Sequence, residues 1–82
     1  MADEQPILKI AGDVVDCKIF YLHPVKGNPM KRKLEFHTGQ VLPVGCRVKV
    51  NVRMGALNLK GHVRLTQDDH GMYCGLAQFR LF

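Results

Sequence analysis

The sequence predicts an all-β protein: one domain, residues 1–82, folded as a small six-stranded antiparallel barrel. Two runs, Arg47–Met54 and Leu57–Leu65, alternate apolar and polar residues as half-buried strands do. Turn-forming residues separate the apolar runs, and no stretch has a helical period. A chain of 82 residues leaves room for only one core. Closing the sheet into a barrel would remove its exposed edges.

The first three strands are predicted from apolar runs that end at glycine or proline turns. These runs are Ile7–Ile10, Val14–Leu22 and Met30–Phe36. The next two strands form a hairpin through Gly55 and Ala56, and Gly61 within the second predicts a bulge or a tight bend. The inward residues predicted for this hairpin are Val48, Val50, Val52, Met54, Leu57, Leu59, Val63 and Leu65.

The last strand, Met72–Phe82, follows the turn segment Thr66–Gly71 and is apolar on both faces. This pattern is typical of a central strand or of one that borders a partner. We therefore predict a homodimer that forms through Met72–Phe82, with Leu76 and Phe82 as contact residues.

Positive charge is concentrated in the middle of the chain. The net charge is +5, and between Pro24 and Arg64 nine cations face one carboxylate, Glu35. Such a segment attracts phosphates or an acidic protein surface. The alternative is a polar outer face that only keeps the barrel soluble. The predicted anion- or partner-binding residues are Lys31, Arg32, Lys33, Arg47, Lys49, Arg53, Lys60 and Arg64.

The sequence predicts no enzyme, cofactor or metal site. The chain contains no serine, which excludes a Ser-His-Asp hydrolase. Cys74 follows His70, Asp68 and Asp69, but a turn followed by a strand favours a packed thiol. The cysteines and histidines lack the spacing of zinc ligands.

Three segments of the second half resemble the C-terminal half of a PilZ domain: Val44 to Val52, Leu59 to Arg64, and Tyr73 to Phe79. The last contains Gly75-Leu76 followed by Phe79, similar to the Gly-Leu-x-Phe of the family's closing strand. The resemblance implies a six-stranded barrel and a bacterial protein. The Arg-x-x-x-Arg arm and the serine-containing loop that bind cyclic di-GMP in that family are absent. The resemblance therefore implies a degenerate member that acts as a protein-contact adaptor or that binds an anion by another route.

A cytoplasmic location is expected, since the N-terminus lacks a basic start with an apolar run and no stretch is long enough to cross a bilayer. Three widely spaced cysteines also argue against a disulfide framework. The predicted function is a non-catalytic adaptor whose basic surface contacts an acidic protein or another anion. A small-barrel protein that binds nucleic-acid phosphates is the alternative, although few aromatic residues are available for base stacking.

Overall fold

The computed structural model describes residues 6–80, and these residues confirm the predicted all-β class. The strands are β1 Ile7–Ile10, β2 Asp13–Val15, β3 Ile19–Val25, β4 Asn28–His37, β5 Arg47–Met54, β6 Leu57–Arg64, β7 Thr66–Gln67 and β8 Tyr73–Arg80. The count exceeds the predicted six, because the run Val14–Leu22 is interrupted at residues 16–18 and because the expected turn after Leu65 begins with β7. Within this part of the chain, no helix has the length and hydropathy to span a membrane.

All strand pairs are antiparallel, and the sheet has the order β2-β1-β5-β6-β8-β4-β3, with β7 paired to β8. The sheet curls into a half-barrel, with β2 and β3 as the two ends of this order. Strand β8 lies between β4 on one edge and β6 with β7 on the other, so of the two alternatives predicted for the last strand the structure shows the central one.

The predicted β5–β6 hairpin is confirmed, with an unbroken register from Arg47 opposite Arg64 to Met54 opposite Leu57. Gly55 at the turn has a φ of 58°, a conformation that suits glycine at the first position of a hairpin loop. Leu57 was predicted to point inward, but it is 47% exposed because it lies at the end of the hairpin, beyond the packed part of the core.

Gly61 produces a close approach of two strands. The register of β5 against β6 continues through Gly61 without a shift, so the predicted bulge is wrong for this pair. A β-carbon on Gly61 would overlap the carbonyl oxygen of Gln78 on β8. The glycine is therefore needed where β6 approaches β8, as glycines in strongly curved sheets often are.

One core lies on the inner face of the curled sheet. Phe36 and Tyr73 pair across β4 and β8, and their ring centroids are 5.5 Å apart. The Tyr73 hydroxyl accepts a hydrogen bond from the Leu42 backbone N–H (3.1 Å) and donates one to the Gln40 carbonyl (3.3 Å). This side chain therefore ties the β4–β5 connection to the core. The buried residues are Leu8, Ile10, Val15, Leu34, Phe36, Val50, Val52, Leu59, Val63, Leu65, Tyr73, Ala77 and Phe79.

Candidate anion-binding site

Cations cover the outer face of the sheet. Side chains alternate between faces along a strand, so the residues next to the buried core positions point outward. On β5, for example, Val50 and Val52 are buried while Lys49 and Arg53 are exposed. We call the following nine cations the basic face: Lys9, Lys31, Lys33, Arg47, Lys49, Arg53, Lys60, Arg64 and Arg80.

The strand register places cations of this face directly opposite one another. Arg47 lies opposite Arg64, and Lys60 lies opposite Arg80. Lys49 lies opposite His62, which is half-buried. Like charges at directly opposed positions destabilise a sheet. The arrangement thus concentrates positive potential on the basic face at a cost to folding stability.

Glu35 is the one carboxylate on the outward positions of the described strands. Its Oε1 lies 3.1 Å from Nε2 of His23 and 3.8 Å from Nζ of Lys33. It therefore offsets charge only near β3 and β4. Within residues 6–80, no salt bridge reaches the cations on β1, β5, β6 and β8.

A groove of ≈ 330 Å³ lies on the basic face between β1, β5, β6 and β8. Its backbone lining includes Gly12 and Gly61. Asn51 contributes to the wall, and its Nδ2 donates to Asn58 Oδ1 (2.6 Å) and to the Leu59 carbonyl (2.9 Å). We call this feature the cationic groove. Its charged and polar side chains are Lys9, Lys49, Asn51, Lys60, His62 and Arg80.

A second groove, of ≈ 470 Å³, lies beside the first on the same face. It is lined by Arg47, Arg64, Leu76 and Gln78, and it shares His62 with the cationic groove. Because one side chain borders both, the two grooves are neighbours and present cations to a ligand that extends across the sheet. This geometry suits an extended anion better than a single small one.

Seven of the eight predicted binding residues lie on the basic face, and Arg32 does not. Arg32 follows the alternation of Leu34 and Phe36, so it points to the inner side, where it lines an opening with Phe20 and Leu22. The alternation of Met30–Phe36 in the sequence already places Arg32 on the same side as Leu34 and Phe36.

Sequence reasoning missed Lys9 and Arg80, which line the cationic groove. Lys9 pairs with Asn51, and Arg80 pairs with Lys60. The alternation around Leu8 and Ile10 would have placed Lys9 on the outer face. Its position beside β5, however, depends on a long-range strand pair.

Asp68 and Cys74 make local hydrogen-bond contacts around the β7–β8 connection. Asp68 Oδ1 accepts hydrogen bonds from the backbone N–H groups of His70 (2.8 Å) and Met72 (2.9 Å), and these bonds, the Met72 bond above all, lower the pKa of its carboxyl. Cys74 Sγ lies 3.6 Å from Thr66 Oγ1. No group of three or more potential metal ligands occurs within the described residues.

The described part of the strand expected to form a dimer contact is β8, Tyr73–Arg80, and it lies inside the sheet rather than at its edge. Neither edge of β8 is therefore open to a strand of a second copy. Leu76 is 51% exposed on the outer face, while Leu81 and Phe82 lie outside the described residues. A homodimer stays a prediction, and it would use side chains such as Leu76 rather than strand pairing.

No protein-family model matches the chain, and comparison with curated proteins and with solved structures gives no match. The chemistry of the basic face and its grooves therefore carries the functional proposal.

Proposed function

We propose that this protein is a non-catalytic binding module that holds an anionic partner against its basic face. The observation that carries the proposal is the imbalance of charge on that face, where nine cations accompany one carboxylate. The potential of such a surface attracts polyanions and speeds their association.

The directly opposed cations support the proposal that a bound anion neutralises this face. Like charges directly opposite one another in a sheet destabilise it. The pairs Arg47–Arg64 and Lys60–Arg80 both carry this cost, and no carboxylate of the described residues offsets it. A face that served only solubility would gain by mixing acids among its cations. A bound anion would instead recover the cost on binding.

We keep a PilZ-like barrel as our interpretation of the fold, and the adaptor role that such a barrel implies as the second candidate function. Its support is that the three resembling segments lie on β5, β6 and β8, which are adjacent in the sheet. For an adaptor, Leu76 is the apolar contact available among the cations.

Retention on a heparin column tests whether the basic face binds anions. We expect K33Q/K49Q to elute at a lower salt concentration than the parent, since both lysines are exposed on this face. K18Q/K26Q is the matched control, because it removes the same charge from exposed lysines outside the basic face. Equal elution of the two variants would overturn the proposal, since retention would then follow net charge alone.

A further inference from the structure

The groove geometry points to a phosphodiester backbone as the anion, and specifically to duplex nucleic acid bound without regard to sequence. One phosphate would occupy the cationic groove, and neighbouring phosphates would contact the second groove. This inference rests on the proposed function, because it names the class of the anion.

The cationic groove has the chemistry of a phosphate site. Three lysines and one arginine line a space of ≈ 330 Å³: Lys9, Lys49, Lys60 and Arg80. Among residues 6–80, no acidic residue lines this space. Lysine and arginine are the usual phosphate ligands in proteins, and arginine adds a planar set of donors. His62 adds ring nitrogens between the two grooves.

The repetition of the cations favours a polymer. Residues on one face of a strand repeat about every 7 Å, and neighbouring strands lie about 4.8 Å apart. Successive outward positions of β5 and β6 carry Arg47 and Lys49, and Lys60, His62 and Arg64. Several phosphates of one backbone would thus meet cations at the same time, whereas a single phosphate would use only one groove.

The distribution of apolar side chains argues against an acidic protein as the partner. Protein–protein interfaces usually have an apolar centre and a polar rim, and lysine is depleted in them. Here cations occupy the centre of the outer face, while the exposed apolar residues Ile7, Val14, Ile19 and Tyr21 lie on strands at or near the sheet edges. Leu76 is the exception near the centre. The face therefore matches a phosphate surface better than a protein surface.

Single strands are less suited to this face than a duplex. Proteins that bind single strands stack bases on aromatic side chains. Of the aromatic rings that the structure describes, only His62 lines the cationic groove, and Tyr21 lies on β3, stacked on His23 at a centroid distance of 5.7 Å. A duplex presents about one charge per 1.7 Å of axis in a fixed geometry and needs no stacking. Phosphate contacts carry no direct sequence information, so binding would be sequence-independent.

The test is fluorescence anisotropy with a labelled duplex of about 20 base pairs and mixed sequence, measured across salt concentrations. The groove variant is K9Q/K60Q, and the control is again K18Q/K26Q, which has the same net charge. Each lost phosphate contact lowers the salt slope by about 1, and the groove holds one phosphate, so we expect the groove variant to lose about 1 in slope and about tenfold in affinity. The control should keep the parent slope.

Other outcomes separate this inference from the proposed function. Heparin retention that depends on the basic face, without duplex binding, would overturn the duplex inference and leave anion binding standing. Tighter binding to the single strand than to the duplex would also overturn it. Equal salt slopes for the groove variant and its control would show that no phosphate binds in the cationic groove. Loss of Lys60 relieves its opposition to Arg80, so K9Q/K60Q should fold, and a circular-dichroism melt checks this.

Discussion

Gly61 on β6 approaches Gln78 on β8 so closely that no β-carbon fits between the two strands. A β-carbon built on Gly61 would overlap the Gln78 carbonyl oxygen and would lie 2.8 Å from the Phe79 Cα. Both obstacles are backbone atoms of a central strand, which cannot rotate away as a side chain can. The curvature of the sheet at this point therefore depends on a residue without a side chain.

Gly61→Ala is expected to lower the free energy of unfolding by at least about 2 kcal/mol, because β6 and β8 would have to separate. Urea-induced unfolding followed by circular dichroism measures this change. Gly39→Ala is the control, since nothing lies within 4 Å of a β-carbon at that exposed position. Equal unfolding midpoints for the two variants would refute the close approach.

Ala11→Asn is expected to stabilise the protein by about 0.5–1 kcal/mol. Ala11 has a φ of 53° in the turn between β1 and β2, where the left-handed conformation is unfavourable for alanine and better tolerated by asparagine. Thermal melts of the parent and the variant measure the gain. Ala56→Asn, in a turn where the alanine has no positive φ, should give no such gain. A lower melting temperature for Ala11→Asn would count against the turn geometry.

Asp68→Ala is expected to lower the melting temperature at neutral pH, since Asp68 organises the turn before β8 through its bonds to His70 and Met72. Those bonds favour the ionised carboxylate, and the pKa of Asp68 is lowered. Its stabilising effect is therefore present above the unfolded-state pKa of about 4 and is lost as pH falls through the lower folded-state value.

Melting temperatures measured from neutral pH downward test this prediction. The difference in melting temperature between the parent and Asp68→Ala should decrease as the Asp68 carboxyl of the parent is protonated. Asp69→Ala provides the control, because Asp69 is an exposed neighbour in the same turn. A difference that stays constant down to the lowest pH would show that ionisation of Asp68 is not involved.

Cys17 is expected to react slowly with iodoacetamide. Partial burial, with a smaller contribution from Asp16, raises the pKa of its thiol to about 11. The thiolate is the reactive species, so little of it is present near pH 8. Alkylation rates of C46S/C74S and C17S/C74S compare Cys17 with the exposed Cys46, which should react faster. Equal rates would contradict the prediction.

The raised pKa also predicts the direction of a stability change in alkali. Burial of the neutral thiol stabilises the fold fully below the unfolded-state pKa of about 8.5, and this effect is lost as pH approaches the folded value of about 11. Cys17→Ala should remove this part of the pH dependence of the free energy of unfolding, which denaturant titrations measure. If the free energy of unfolding fell in alkali as much for Cys17→Ala as for the parent, this result would argue against the prediction.

The β5–β6 hairpin was predictable because its evidence is local. Val50, Val52, Leu59 and Val63 alternate with polar residues and are buried as expected. Seven predicted cations lie on the basic face for the same reason, since the alternation of a strand decides which side a residue takes.

The neighbours of that hairpin were not predictable from local patterns. Strand β1 lies beside β5 through pairs such as Leu8 with Val52, and β8 lies beside β6 through pairs such as Gly61 with Phe79. These pairs join residues far apart in sequence, and no short motif specifies them. The cationic groove is built across both junctions, so its position required the structure.

Strand β8 has a consequence for the order of folding. Of the strands within residues 6–80 it is the last along the chain, yet it is the one that connects the β3–β4 hairpin to the group formed by β1, β2, β5 and β6. During synthesis these two parts have no shared strand until residues 73–80 have left the ribosome. Their apolar surfaces would stay uncovered up to that moment, so a chain stopped before Tyr73 should aggregate rather than fold.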